Sequence, residues 1–210
     1  MVPLEFPASG RIAAVDYGTA RVGIAVCDPD RILASPLSVL SSASWPSEAD
    51  GWREADGWGD DVGSHTPETS VLESVRRSFK QIAAEERLCG WVVGLPIHAD
   101  GNESASSKLS RAFARWLQSQ TQLPTRLFDE RFTTVDAQSR MRGSGWTLKK
   151  RKKRVDAIAA TVLLEAFLEA SRYGGEHAGT EIHLDANPEE KVSSPPSDDS
   201  LKSLEDRPES

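Results

Sequence analysis

The stretch "IAAVDYGTARVGIAV", residues 12–26, decides how this chain folds. Residues 12–15 and 22–26 read as two short apolar strands. "DYGTAR" joins them with the glycine and small residues of a tight hairpin. One residue breaks the pattern: Asp16 closes the first strand, where losing the hydration of an unpartnered carboxylate costs several kcal/mol. A charge kept at that point needs either a turn to cap or a cation to face.

Working outward, a third strand over about 32–40 completes an antiparallel meander begun at 11–16 and 21–27. A helix over about 70–87 comes next, with Ser70 and Glu73 as a capping box ahead of Val71, Leu72, Val75, Phe79 and Ile82. "WVVGLP", 91–96, is continuously apolar, as a strand covered on both faces must be. "SASSKLSRAFARWLQSQ" carries the helical stripe Leu109, Phe113, Trp116 and Leu117. "TRLF" is a further strand ending at "DER", a short helix capped by Thr133 or Thr134 runs through Met141, and a last helix spans about 155–171. This order specifies an α/β fold, a mixed five-stranded sheet flanked by helices.

The 210 residues suit one domain over residues 1–173 with appendages. Residues 44–66 repeat "EADGW" at 48–52 and 54–58 and read as an acidic surface insertion, whose Trp52 and Trp58 either pack back or offer a contact surface. Residues 174–210 are rich in Ser, Pro, Glu and Asp and are expected to be a disordered acidic tail. The net charge of -7 resides in these appendages, since the insertion carries -5 and residues 172–210 carry -6, leaving +4 on the rest. No apolar run spans a membrane and no secretory signal is visible. With Cys27 and Cys89 reading as reduced core thiols, a cytoplasmic protein is expected.

Asp16 ends the first strand, Asp129 and Glu130 end the last, and Asp156 opens the final helix. In open α/β sheets, sites gather at the carboxyl ends of strands. Taken singly, Asp16 can cap its turn, Asp129 can pair with Arg126 or Arg131, and Asp156 can sit at a helix dipole. Taken together, three converging carboxylates repel unless a cation lies among them. An all-oxygen set without a Cys/His cluster favours Mg²⁺ or Mn²⁺, ions that support phosphodiester hydrolysis.

The motifs "VDYGTARVGIAV", "VVGLPIHADGNES", "DERFTT" and "KKRVDAIAATVLL" resemble, in order and spacing, the YqgF/RuvX family of Holliday junction resolvases and pre-16S rRNA nucleases. The resemblance covers about residues 10–171. It implies a ribonuclease H-like sheet, a divalent-metal nuclease site, and a cytoplasmic role in maturing the 5′ end of ribosomal RNA. Residue by residue it implies that Asp16, Glu130 and Asp156 are catalytic metal ligands, with Asp129 the second choice at the "DER" corner. The insertion and the acidic tail depart from the family pattern without interrupting a motif.

"KKRKKR" (Lys149, Lys150, Arg151, Lys152, Lys153 and Arg154) adjoins Asp156 and is the expected grip on a polyanion. Six phosphate contacts on a duplex would make binding fall with roughly the fifth power of salt concentration. Arg21 and Arg131 adjoin the candidate acids, Trp146 is placed to stack on an unpaired base, and the "GLPIHADGNES" loop opens a helix at Ser104 or Ser106 whose N–H groups suit a phosphate. His98, alone in that loop, is assigned no role. The expected partners are structured RNA such as pre-16S rRNA or branched DNA, with ribosomal precursor particles and no membrane, for a monomer or homodimer. Against a nuclease stand a binding module with vestigial acids and an ATPase of the sugar-kinase type. Clustered acids facing phosphates would only weaken a pure binder, and the ATPase architecture needs a second lobe that about 160 ordered residues do not supply.

Overall fold

In the computed structural model the described residues are 4–46, 51–52, 67–97, 104–129, 148–174 and 178–182, of which residues 67–70, 148–156 and 174 are described in backbone only. Strands β1 (Ile12–Tyr17), β2 (Arg21–Cys27) and β3 (Ala34–Ser41) are followed by α1 (Pro67–Glu85), β4 (Gly90–Leu95), α2 (Ala105–Thr121), β5 (Thr125–Asp129), α3 (Leu148–Gly174) and β6 (Thr180–Glu181). The sheet order is β3-β2-β1-β4-β5-β6. β1, β4 and β5 run parallel, whereas β2, β3 and β6 each pair antiparallel. This is the mixed α/β sheet that the sequence leads one to expect, with one short strand added.

The pleat separates two cores. Ala13, Val15, Val22, Ile24, Trp91, Val93 and Leu127 face α1 and α2. Ile12, Ala14, Ala25, Cys27, Val92 and Phe128 face α3, through Ala160, Leu163, Leu164 and Phe167. Both faces are covered, which explains why β1, β2 and β4 are apolar without alternation.

Several boundaries differ from expectation. α1 begins at Pro67, before Ser70, because proline at a first helical position forfeits no hydrogen bond. Ser70 thus lies inside the helix and does not precede it, and Glu73 pairs with Arg76 at 2.9 Å. α3 begins at Leu148, so Asp156 lies inside the helix and does not open it. Lys and Arg are good helix formers, and no breaker separates the basic run from the remainder of the helix. In contrast, Ser104 caps α2 as expected, accepting from the Ser107 amide at 3.0 Å while Ser107 Oγ accepts from the Ser104 amide at 3.3 Å. The short helix expected through Met141 lies outside the described residues.

Two appendage readings also change. Trp52, from the insertion, is fully buried between Phe113 (ring centroids 5.1 Å apart) and Trp116 (4.7 Å). Its Nε1 donates to the Tyr17 hydroxyl at 3.2 Å, and that hydroxyl donates to the Pro46 carbonyl at 3.2 Å. Part of the insertion is therefore core; Trp58 lies outside the described residues. At the other end, residues 178–182 belong to the fold and not to a tail from Gly174. β6 pairs with β5, Ile182 is buried, and Arg126 holds Glu181 at 2.9 Å.

Burial pushes the Tyr17 phenol up to about 12, outweighing the Trp52 hydrogen bond that lowers it. The folded value lies above the ordinary 10.0, so the folded state holds a proton that the unfolded state releases. Stability is fully present below pH 10 and is expected to fall as pH rises from 10 towards 12. Denaturation midpoints across that range check it, with Tyr17→Phe expected to remove this part of the decline.

Candidate nuclease site

Asp16 and Asp129 stand at the carboxyl ends of parallel strands β1 and β5, with β4 between them. Two strand spacings separate those backbones by about 10 Å. The pleat then sorts the side chains. Asp16 alternates with Ile12 and Ala14 and so takes the α3 face. Asp129 alternates with Leu127 and takes the opposite face, over α1 and α2. Both carboxylates are half-buried.

Asp16 has an uncommon setting. Its partner across β1–β2 is Gly23. On the other side, the parallel register runs through Val15 and Val93, and one step further Asp16 lies beside Gly94. Gly23 in turn pairs with Val39, and Gly94 with Phe128. The row on the α3 face therefore reads Val39, Gly23, Asp16, Gly94, Phe128. Neither of its immediate neighbours in this row carries a side chain. Glycine inside a strand weakens it and often marks the close approach of a ligand. An all-oxygen donor at the centre of a bare row suits a hard divalent cation. The glycines stand in quoted motifs, but their convergence on Asp16 depends on register between segments some 70 residues apart, which no local pattern reveals.

α3 approaches this row from one side. Arg172 near its carboxyl end donates to the carbonyls of Arg31 and Ile32, at 2.5 and 3.4 Å, in the turn below β2. From there the helix rises about 24 Å to Asp156. Asp156 lies on the helix backbone one turn before the buried Ala160, which packs on this face of the sheet. Lys149–Arg154 form the turns before it in backbone. Arg21 alternates with Gly23 and Ala25, so it shares the Asp16 face, and it is exposed.

At α2, the Ser107 hydroxyl also donates to the Pro96 carbonyl, fixing the helix start to the end of β4 on the same sheet edge. Glu130, Arg131, Trp146 and His98 lie outside the described residues, as do the side chains of Asp156 and Lys149–Arg154. Among the described residues no three His, Cys, Asp or Glu side chains group to hold a metal ion. Also among them, no helix is long and apolar enough to cross a membrane.

Comparison with known proteins supplies the lineage. A family model described as "RuvX: Holliday junction resolvase" matches residues 62–170. A Rhodopirellula baltica protein named "Putative pre-16S rRNA nuclease" is 53% identical over 174 residues, 83% of this chain and 85% of that one. A Koribacter versatilis protein of the same name is 36% identical over 160 residues, 76% and 87% of the two chains. Among solved structures, Thermus thermophilus RuvC in complex with Holliday junction substrate aligns at TM-score 0.45 and 13% identity, covering 82% of this chain and 99% of that chain.

Proposed function

The chain belongs to the RuvX family, and from that premise we propose that it is a divalent-metal-dependent endonuclease that hydrolyses phosphodiester bonds in structured nucleic acid. Its substrate on this reading is the 5′ end of pre-16S rRNA, met in the cytoplasm on ribosomal precursor particles by a monomer or homodimer. The observation that supports it most is the row around Asp16, flanked by Gly23 and Gly94 on the sheet face covered by the helix that carries Asp156.

Asp16, Glu130 and Asp156 would hold Mg²⁺ or Mn²⁺, and Asp129 is set aside because the pleat turns it to the other face. A bound ion would supply charge neutralisation at the scissile phosphate and a more acidic water. The protein's own share is to hold the polyanion still. Arg21 lies on the Asp16 face, and the run Lys149–Arg154 precedes Asp156 on one continuous helix, giving cations along the approach to the acids. Arg131 and Trp146 are assigned the flanking phosphate and an unpaired base.

The family description also names a second substrate, the four-way DNA junction. Labelled rRNA precursor and labelled junction, each incubated with Mg²⁺, Mn²⁺ or EDTA, decide between them. Cleavage of the RNA with either ion and none with EDTA is the expected result. Junction cleavage alone would reassign the substrate, and binding without cleavage of either would leave only a binding module.

A further inference from the structure

We propose that Ser42 is a positioning residue for the nuclease site, bracing from outside the tight turn that joins Asp16 to Arg21. This rests on the nuclease reading above and adds to it a residue that belongs to none of the four family motifs.

Two observations carry the inference. The first is that the turn lacks the backbone form that would let it hold itself. The Gly18 amide donates to the Arg21 carbonyl at 3.1 Å, which leaves Thr19 and Ala20 as the two turn residues. Two-residue hairpin turns that match strand twist need positive φ at one or both of those positions. The positive-φ residues among the described ones are Gly10, Arg31, Arg87, Gln122 and Gly179, none of them in this turn. Gly18 answers to crowding, since a Cβ there would meet the Arg21 carbonyl oxygen at 2.7 Å.

The second observation is what holds the turn instead. Ser42, just past the end of β3, is 3% exposed. Its hydroxyl donates to the Gly18 carbonyl at 2.6 Å, and its amide donates to the Ala20 carbonyl at 3.1 Å. One residue thus grips the turn at two points. The brace is itself anchored: the Ser42 carbonyl accepts from the Trp45 amide at 3.0 Å. The Trp45 ring stands 6.1 Å from Phe79 and 6.3 Å from Phe113, centroid to centroid. Asp16 and Arg21 share one sheet face on the two sides of this turn, so its form sets their separation. Misplacing a reacting group by about 1 Å can cost on the order of 10²-fold in rate. If Ser42 served stability alone, removing its hydroxyl would lower the thermal midpoint and leave turnover by the folded protein unchanged.

Cleavage of labelled rRNA precursor by wild type, Ser42→Ala and Ile182→Ala, each well below its thermal midpoint, separates these roles. Ile182→Ala opens the core at β6, on the opposite edge of the sheet from β3, and serves as the control for lost stability. Ser42→Ala is expected to lower kcat about tenfold with KM changed less than threefold, and Ile182→Ala to keep kcat within twofold. A kcat loss under threefold in Ser42→Ala, or an equal loss in Ile182→Ala, overturns the proposal. Amide hydrogen exchange reads the brace without turnover. In Ser42→Ala the Gly18 amide should exchange at least tenfold faster while Val15, in the middle of the sheet, is unchanged; unaltered Gly18 protection also overturns the proposal. Failure of the nuclease reading looks different: wild type would then leave the precursor uncut, or Asp16→Asn would cut it as wild type does, with Gly18 exchange still accelerated in Ser42→Ala.

Discussion

Asp16→Asn is expected to reduce cleavage on the order of 10³-fold or more while leaving the melting temperature unchanged or slightly higher. Asparagine keeps the shape of the side chain and removes its charge, so the β1 strand and its pairing with Gly23 persist. What is lost is a half-buried carboxylate, where on the proposed reading electrostatic help to the transition state amounts to several kcal/mol and each 1.4 kcal/mol is about tenfold in rate. A small gain in stability would accompany it, because charges gathered for function strain the fold that carries them. The same logic divides the "DER" corner: Glu130→Gln should match Asp16→Asn, whereas Asp129→Asn, directed to the other face, should stay within a few-fold of wild type. Initial rates at saturating Mg²⁺ measure all three. An Asp16→Asn enzyme cutting at more than a third of the normal rate would remove this residue from the machinery.

The second large effect is on stability and arises where the composition suggests a dispensable loop. Trp52→Ala is expected to cost about 3–5 kcal/mol, as deletion of a fully buried indole does. The ring contacts Phe113 and Trp116, and Trp45 and Tyr17 each stand 6.1 Å away, centroid to centroid. No small rearrangement of so many rigid rings refills that volume. Trp52→Phe separates packing from polarity, since it keeps an aromatic but strands the Tyr17 hydroxyl without its donor, a loss of about 1 kcal/mol. Urea denaturation midpoints give both numbers. A Trp52→Ala cost under about 1 kcal/mol would mean the indole is an ornament on the surface.

Legibility in the sequence tracks the range of the interaction. Strands β1, β2 and β4 and the stripe of α2 are written in local periodicity, and Ser104 in local capping chemistry. The start of α1 is obscured because Ser70 and Glu73 make a plausible cap three residues inside the real beginning at Pro67. The basic run reads as a prelude to α3 because charge draws attention before helix propensity does. Burial of Trp52 is hidden in a Gly- and Asp-rich setting, since its partners are some 60 residues away. For the site, Asp16 and Arg21 are legible one by one. The glycine row, and the pleat that turns Asp129 to the face opposite Asp16, exist only once the strands are in register.

β6 is two residues long, yet it changes what the outer edge of the sheet offers to other molecules. Without it, β5 would present an open line of amides and carbonyls, an invitation to any extended segment, including one from another copy. Thr180 and Glu181 occupy part of that line, Gln118 clasps the Ile182 carbonyl at 3.0 Å, and Arg126 is spent on Glu181 and the Gly179 carbonyl. A shortened version of this protein should therefore stop after residue 182, because a cut at 174 would unseal the sheet and leave a domain that sticks to its own copies.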